Sequence, residues 1–166
     1  MGFPHTTETI VEDCIIAGKT FYWGYTSAMF KNTTFECPIM DYALWTYSSP
    51  EMTFDHCTFN STGKVINVYR DYFSQHYTIN FNNCTVNNKY FASKQVLNIN
   101  DSNTTGQSYT INITGNNAVT GLNPDKITCS RLFGFGGKSQ NNAGHTDVNF
   151  GRSEERRVGK ECRSRW

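Results

Sequence analysis

Several features that would assign a protein to a common class are missing from this 166-residue chain. No run approaches the roughly 18 apolar residues of a membrane span, which excludes a spanning helix. The N-terminus lacks a basic stretch followed by an apolar one, so no signal peptide is visible. Only 17% of the residues are charged, against about 25% in an average domain. With a net charge of +1, the chain offers no general case for nucleic-acid binding.

Two further absences bear on fold and chemistry. No segment keeps the 3.6-residue apolar period of an amphipathic helix, so we expect little or no helix. No two cysteines have the Cys-x₂-Cys spacing typical of zinc sites, and we expect neither a metal nor a cofactor. Aromatic residues make up 14% of the chain, which argues against disorder. The 18 Asn and 20 Thr residues suit tight bends and side-chain hydrogen bonds along a column.

The last fifteen residues, 152–166, differ in composition from the rest. They contain five arginines, whereas the first 151 residues contain only Arg70 and Arg131. One interpretation is a basic arm for nucleic acid or a membrane surface. All fifteen residues also resemble a translated sequencing adapter in one frame, and we favour this second interpretation. The part before the tail then has nine basic and eleven acidic side chains, a net charge of −2, and is expected to continue past Gly151.

A degenerate repeat runs through these first 151 residues. Each copy has six positions. The first and the last are apolar, the third is Asp, Asn or His, the fourth is Cys or Thr, and the second and fifth can be any residue. The four copies are residues 11–16, 30–35, 54–59 and 81–86. The interval between their starting points lengthens along the chain. Residues 109–113 form a weaker fifth copy, because they echo residues 77–81.

A second element follows the better copies. It is a short alternating run rich in strand formers, flanked by turn-like segments, and it occurs at residues 43–47, 65–69 and 96–100. Repeats of about 20–30 residues that hold two or three short strands are typical of a parallel β-solenoid, in which each repeat forms one coil. Successive coils stack about 4.8 Å apart, so equivalent residues form columns.

Alternation along the strands assigns side chains to the interior or the surface. In the first element, Phe54, Cys57 and Phe59 are predicted to point inward, with the bend at Asp55 and His56. In the second element, two interior columns are predicted: Leu44, Ile66 and Leu97, then Thr46, Val68 and Ile99. The residues predicted to lie outside, in a column of their own, are Trp45, Asn67 and Asn98.

The Phe-x-x-Cys-Thr-Phe-Asn pattern at residues 54–60, with its partner at 81–87, resembles coils of right-handed parallel β-helix proteins. The wider segment 42–69 is similar to repetitive cell-surface proteins of gut Firmicutes, which are described as adhesin-like or pectate-lyase-like. The resemblance covers roughly residues 9–120 and implies an all-β, right-handed parallel β-helix segment of about four to five coils. It specifies function poorly, because this fold hosts lyases, hydrolases, adhesins and phage tailspikes.

Three cysteines share one position of the repeat: Cys14, Cys57 and Cys84. Thr33 takes that position in the remaining copy. The spacings between these cysteines match whole coils, which favours a structural ladder of buried thiols. A disulfide among them is the main alternative, and the redox state of Cys37 and Cys129, which lie off the column, stays open.

Aromatic residues at the second element suggest a binding surface. Outward rings in a column can stack on sugar rings, while neighbouring Asn side chains hydrogen-bond the hydroxyl groups. The alternative, which we favour, is ladder packing between coils that stabilises the sheet without any ligand. The candidate glycan-contact residues are Trp45, Tyr47, Asn67, Tyr69 and Asn98.

The case for catalysis is thin. A lyase needs a base and a cation that neutralises the substrate carboxylate, and such a set can be drawn from Arg70, Asp71 and His76. A hydrolase needs two carboxylates on one face. Asp13 and Asp55, interpreted as equivalent bend positions two coils apart, would be roughly 10 Å from each other. Bends also favour Asp for turn reasons alone, and we expect no catalytic residue.

These observations predict a non-catalytic fragment of a bacterial cell-surface or secreted protein, located outside the cell, that forms an adhesion or glycan-contact surface or a spacer. The expected partners are host or microbial glycans or surface proteins, with no nucleic acid. The alternatives are a fragment of a polysaccharide lyase or glycoside hydrolase, and a phage tailspike fragment. The predicted organisation is an N-terminal leader or incomplete coil (1–8), β-helix repeats (9–120), a degenerate last coil or partly ordered segment (121–151) and the non-native tail (152–166).

Overall fold

The chain forms a parallel β-solenoid with three sheets. A computed structural model describes residues 8–23, 26–39, 42–47, 49–61, 65–69, 76–87, 97–100, 108–120, 133–135 and 146–151. All regular secondary structure in these ranges is β-strand. Within them, no helix is long and apolar enough to cross a membrane. The all-β solenoid predicted from the repeats is confirmed.

Five coils of three strands each are described, and one further strand begins a sixth. The first two coils contain β1 (Glu8–Glu12), β2 (Ile15–Ala17), β3 (Thr20–Trp23), β4 (Ser27–Lys31), β5 (Thr34–Glu36) and β6 (Leu44–Tyr47). The next two contain β7 (Glu51–Asp55), β8 (Thr58–Asn60), β9 (Ile66–Tyr69), β10 (His76–Asn82), β11 (Thr85–Asn87) and β12 (Leu97–Asn100). The remaining strands are β13 (Ser108–Thr114), β14 (Ala118–Thr120), β15 (Phe133–Phe135) and β16 (Thr146–Phe150).

Each strand pairs with the strand three positions earlier in the chain, so every third strand belongs to the same sheet. Sheet A has the order β1-β4-β7-β10-β13-β16, sheet B has β2-β5-β8-β11-β14, and sheet C has β3-β6-β9-β12-β15. The neighbouring strands of sheet A are parallel, and its central column of successive Cα partners is Val11, Phe30, Phe54, Phe81 and Ile113. These residues open the repeat copies or, for Ile113, close the weaker fifth copy. The alignment of the repeats in sequence is therefore also their register in space.

Stacked phenyl rings fill the core between the sheets. Phe54 lies in the middle of one row, where its ring centroid is 5.3 Å from that of Phe30 and 5.4 Å from that of Phe81. The planes of these pairs are nearly parallel, at 7° and 18°. Phe35 and Phe59 form a second row with centroids 4.8 Å apart. Because the second, third and fourth coils stack phenyl rings on one another, and Val11 and Ile113 continue the column at its two ends, the core runs through the described coils.

Other positions predicted to lie inside are buried wherever their side chains are described. Cys57, Leu44, Ile66 and Thr46 are each exposed by 2% or less. The side chains of Leu97, Val68 and Ile99 lie outside the described part of the chain. Backbone pairing nevertheless continues the first column, because Leu97 is the Cα partner of Ile66.

Each coil turns sharply between sheets A and B at a residue with a left-handed backbone. The non-glycine residues there are Asp13, Asn32, His56 and Asn83, with φ between 48° and 56°. Gly115 takes this role in the fifth coil with φ 71°, and a Cβ atom at that position would collide with the side chain of Asn83. Asn, Asp and His are the side chains that enter this region most readily. The Asp, Asn or His position of the repeat is thus explained by backbone conformation.

Asparagine ladders run along the outside of the solenoid. On sheet A, Nδ2 of Asn149 donates to Oδ1 of Asn112 at 2.9 Å, and Nδ2 of Asn112 donates to Oδ1 of Asn80 at 2.7 Å. Nδ2 of Asn80 continues the chain of bonds to Oγ1 of Thr53 at 3.0 Å. Stacked amides can bond one another because equivalent residues repeat at the strand spacing. The abundance of Asn therefore contributes to cohesion between coils.

Candidate functional site

The outer face of sheet C carries aromatic residues that strand alternation turns away from the core. Phe21 of β3 and Trp45 of β6 are Cα partners, and Asn67 and Asn98 continue their column in β9 and β12. The neighbouring residue Tyr22 faces inward and is only 5% exposed. Phe21 is 48% exposed, so the column begins with an accessible aromatic ring.

Four residues form what we call the sheet C aromatic cluster: Lys19, Phe21, Tyr42 and Trp45. The ring centroids of Phe21 and Trp45 are 6.1 Å apart with planes tilted by 37°. Tyr42 is buried and packs edge-on against Trp45, with centroids 6.2 Å apart and planes at 82°. Trp45 is half-buried, which leaves part of its indole ring at the surface. The cluster is therefore buried on the side of Tyr42 and exposed to solvent on the side of Phe21.

A cation completes this cluster. Nζ of Lys19 lies 4.9 Å from the ring centroid of Phe21 and 4.6 Å from that of Trp45. Both distances are within the range of about 6 Å for attraction between an ammonium group and an aromatic ring. The ammonium group holds the two rings in a common position and brings hydrogen-bond donors next to apolar ring surface. Such a combination suits a ligand that has both C–H faces and hydroxyl groups.

Asn67 is not at the surface, so its prediction as an outward glycan-contact residue is wrong. Its side chain is only 1% exposed, although its backbone lies in the outward column next to Trp45. Alternation determines the face of the sheet on which a side chain lies. It does not determine whether that face is covered by other parts of the protein, and in the third coil the face at Asn67 is covered.

The remaining predicted contact residues lie in strands whose backbone is described. Trp23, Tyr47 and Tyr69 are successive Cα partners in β3, β6 and β9, and Asn98 is the partner of Asn67. The side chains of Tyr47, Tyr69 and Asn98 lie outside the described part of the chain. Their role in ligand contact stays a prediction.

Sequence reasoning missed Lys19 and Phe21. A signal was present, because residues 20–23 alternate like the second element. Phe21 also precedes Trp45 by the same interval that separates the repeat copies beginning at Phe30 and Phe54. Lys19 has no comparable signal, since its contact with the two rings arises only when the coils stack.

The cysteine column is a column of hydrogen-bond donors. Sγ of Cys57 donates to the backbone oxygens of Phe30 and Asp55, at 3.2 and 3.5 Å. Sγ of Cys84 bonds in the same way to Phe54 and Asn82, at 3.3 and 3.4 Å. In each case one acceptor belongs to the preceding coil and the other to the residue's own coil. The position therefore requires a small side chain with a donor.

Two other residues of this column show the same requirement. Oγ1 of Thr33 donates to the backbone oxygens of Val11 and Lys31, at 3.4 and 3.0 Å. Nδ2 of Asn117, in the fifth coil, donates to the backbone oxygens of Phe81 and Thr114, at 3.5 and 2.6 Å. Cys, Thr and Asn replace one another here because each donates to both coils.

Cys14 departs from the predicted ladder of buried thiols, because it is exposed. Its sulfur bonds only within its own coil, to the backbone oxygen of Glu12 at 3.0 Å. The first described coil has no described strand before it to supply the second acceptor, which leaves this thiol at the surface. Cys14, Cys37, Cys57 and Cys84 are free thiols in this structure, and Cys129 lies outside the described residues.

Asp13 and Asp55 are not equivalent, contrary to the prediction for a carboxylate pair. The register pairs Asp55 with Lys31, and Lys31 with Glu12, while Asp13 belongs to the bend column of His56. Nζ of Lys31 forms an ion pair with Oε1 of Glu12 at 2.9 Å. Glu12 and Asp55 thus flank a lysine in a charged column. In this arrangement Lys31 lies between the two acidic positions and pairs with Glu12.

His76, the remaining catalytic candidate in the described part of the chain, is far from Asp55. Oδ1 of Asp55 accepts hydrogen bonds from Nδ2 of Asn82 at 2.6 Å and pairs with Nδ1 of His56 at 2.8 Å. His76 begins β10, six residues before Asn82, which is the Cα partner of Asp55. At about 3.3 Å per residue, this separates His76 from Asp55 by roughly 20 Å. Arg70 and Asp71 lie outside the described residues.

No family model matches the chain, and no curated protein or solved structure is significantly similar to it.

Proposed function

We propose that the chain is a non-catalytic β-solenoid segment of a bacterial cell-surface or secreted protein, and that its sheet C aromatic cluster contacts glycans. The observation that carries this proposal is the exposed ring of Phe21 beside Trp45, with the Lys19 ammonium group over both rings. Aromatic faces bind the C–H faces of sugars, and the ammonium group donates to hydroxyl oxygens.

The architecture supports a role as an extended contact surface. Each coil adds about 4.8 Å of length and repeats the same three faces. A solenoid therefore presents a long surface on which a polymeric ligand meets similar side chains at regular intervals. The resemblance of the repeats to adhesin-like proteins favours a location outside the cell, with host or microbial glycans or surface proteins as partners.

Replacing Phe21 with alanine is expected to weaken glycan binding by roughly fivefold, since loss of one stacking ring corresponds to about 1 kcal/mol. The fold should remain intact because the Phe21 ring is 48% exposed. The measurement is a glycan array, followed by titration calorimetry with a glycan that binds. All variants keep residues 152–166, so that the basic tail contributes equally to each.

The matched control is Ile15→Ala, which removes a 79% exposed apolar side chain from β2 in sheet B. The proposal predicts that this variant binds like the unaltered chain. If no glycan on the array binds the unaltered chain, or if Phe21→Ala and Ile15→Ala bind equally well, the proposed contact surface is wrong.

A further inference from the structure

Cys57 and Cys84 are stacked directly on each other in consecutive coils. Cys57 directly precedes Thr58 and Cys84 directly precedes Thr85, and these two threonines are Cα partners. The Thr85 amide donates to the Cys57 backbone oxygen at 2.9 Å. Adjacent parallel strands are about 4.8 Å apart. A disulfide spans Cα atoms separated by about 4.4–6.8 Å. Stacking thus places the two cysteines within bridging range while the backbone stays in register.

The two sulfurs are also in contact. The interaction with the Cys57 thiol lowers the pKa of Cys84. The same contact, together with burial, raises the pKa of the Cys57 thiol above its ordinary value. Because only the thiolate is nucleophilic, the sulfur of this pair that loses its proton attacks first and the other resolves the product.

Other cysteines of the described chain are kept out of this pair. Thr33 stands between Cys14 and Cys57 in the column, so these two cysteines are two coils, or roughly 10 Å, apart. Cys37 lies after β5 and off the column, where its amide donates to the Asn60 backbone oxygen at 2.8 Å. The stacking order therefore selects one pair of thiols.

We propose that Cys57 and Cys84 form a reversible disulfide that links the third and fourth coils when the protein meets a peroxide. One thiolate of the pair attacks a peroxide oxygen, the O–O bond breaks, and the leaving hydroxide takes up the proton that this thiol released. The other sulfur then attacks the sulfenic acid, the S–O bond breaks, and the oxygen leaves as water with the proton of the second thiol. Two thiols are oxidised and one hydrogen peroxide is reduced to two waters.

A disulfide between Cys57 and Cys84 links two neighbouring coils along the direction in which the coils stack. In a solenoid each coil contacts only its neighbours, so the junction between two coils is where the stack can part. The disulfide closes a loop that runs from Cys57 through one whole coil to Cys84, which restricts the unfolded chain. Oxidation is therefore expected to raise the melting temperature, and reduction is expected to reverse the change.

The test is carried out on the full chain with hydrogen peroxide, added until the exposed thiol of Cys14 is oxidised. The sample is then denatured, alkylated and digested without reductant for mass spectrometry. The expected product is a linked peptide that joins Cys57 to Cys84 and separates on reduction, together with a higher melting temperature. The proposal is overturned if Cys57 and Cys84 are recovered as separate alkylated peptides while Cys14 is oxidised, or if either is linked to another cysteine.

The control variant is Cys84→Thr, because Thr33 shows that threonine supplies the required donor at this column position. This variant should give no linked peptide and no change in melting temperature on oxidation. A rise in its melting temperature equal to that of the unaltered chain would contradict the assignment. The mapping on the unaltered chain is decisive even if the variant folds poorly.

Discussion

Replacing Phe54 with alanine is expected to lower the free energy of unfolding by about 3–5 kcal/mol. The ring of Phe54 is fully buried and contacts Phe30 and Phe81 in its own row and Phe35 and Phe59 in the other. Its removal leaves a cavity at the centre of both rows, and neighbouring coils cannot close it without losing their register. Urea unfolding followed by circular dichroism gives the measurement.

Phe21→Ala is the matched control for this prediction. The same side chain is removed, but from a site that is 48% exposed, so the expected loss of stability is about 1 kcal/mol or less. Equal losses for Phe21→Ala and Phe54→Ala would mean that the stacked rings are not the core of the fold.

Replacing Asn67 with aspartate is expected to destabilise the protein by about 3–5 kcal/mol at neutral pH, because it puts a negative charge at a buried position. The Asn67 side chain is only 1% exposed. Asparagine and aspartate have nearly the same shape, so the effect reports burial and charge. The corresponding exposed site is Asn149, where Asn149→Asp should cost less than about 1 kcal/mol.

The pH dependence of the Asn67→Asp variant gives a second readout. Burial raises the folded-state pKa of the new carboxyl group above its unfolded value of about 3.9. The folded state then binds more protons, so the penalty is full above the folded pKa and shrinks as the pH falls toward about 3.9. Unfolding curves across this range measure it. A penalty that is small at neutral pH and independent of pH would show that Asn67 faces water, as alternation alone predicts.

The stacking of the coils is largely predictable from sequence. The apolar positions at Val11, Phe30, Phe54 and Phe81 align in the sequence repeats and are Cα partners in sheet A. This agreement has a physical reason, because a parallel coil places a residue on its equivalent in the next coil. The side chains must then match in size and polarity. A repeated residue type at a variable interval is therefore direct information about register.

Exposure is less predictable than register. Asn67 is buried on a face that alternation turns outward, and Cys14 is exposed in a column whose other cysteines are buried. In both cases the exposed fraction of the side chain depends on which other parts of the chain cover it. A local sequence pattern carries no information about this covering. The misassigned pair of Asp13 and Asp55 has a different origin. The bend column and the strand column before it both contain acidic and amide residues, so an aspartate by itself does not show to which of the two columns it belongs.

The central claim is that successive repeats stack as parallel coils in the stated register, and paired cysteine substitution tests it most directly. Thr53 and Asn80 are Cα partners on the outer face of sheet A, and Asn82 lies two residues further along the same face. The pair Thr53→Cys with Asn80→Cys spans about 4.8 Å, whereas Thr53→Cys with Asn82→Cys spans roughly 8 Å, beyond the reach of a disulfide. We expect mild oxidation to give a 53–80 linked peptide and no 53–82 linked peptide. Efficient linkage of 53 to 82, or no linkage of 53 to 80, would contradict the register and with it the solenoid described here.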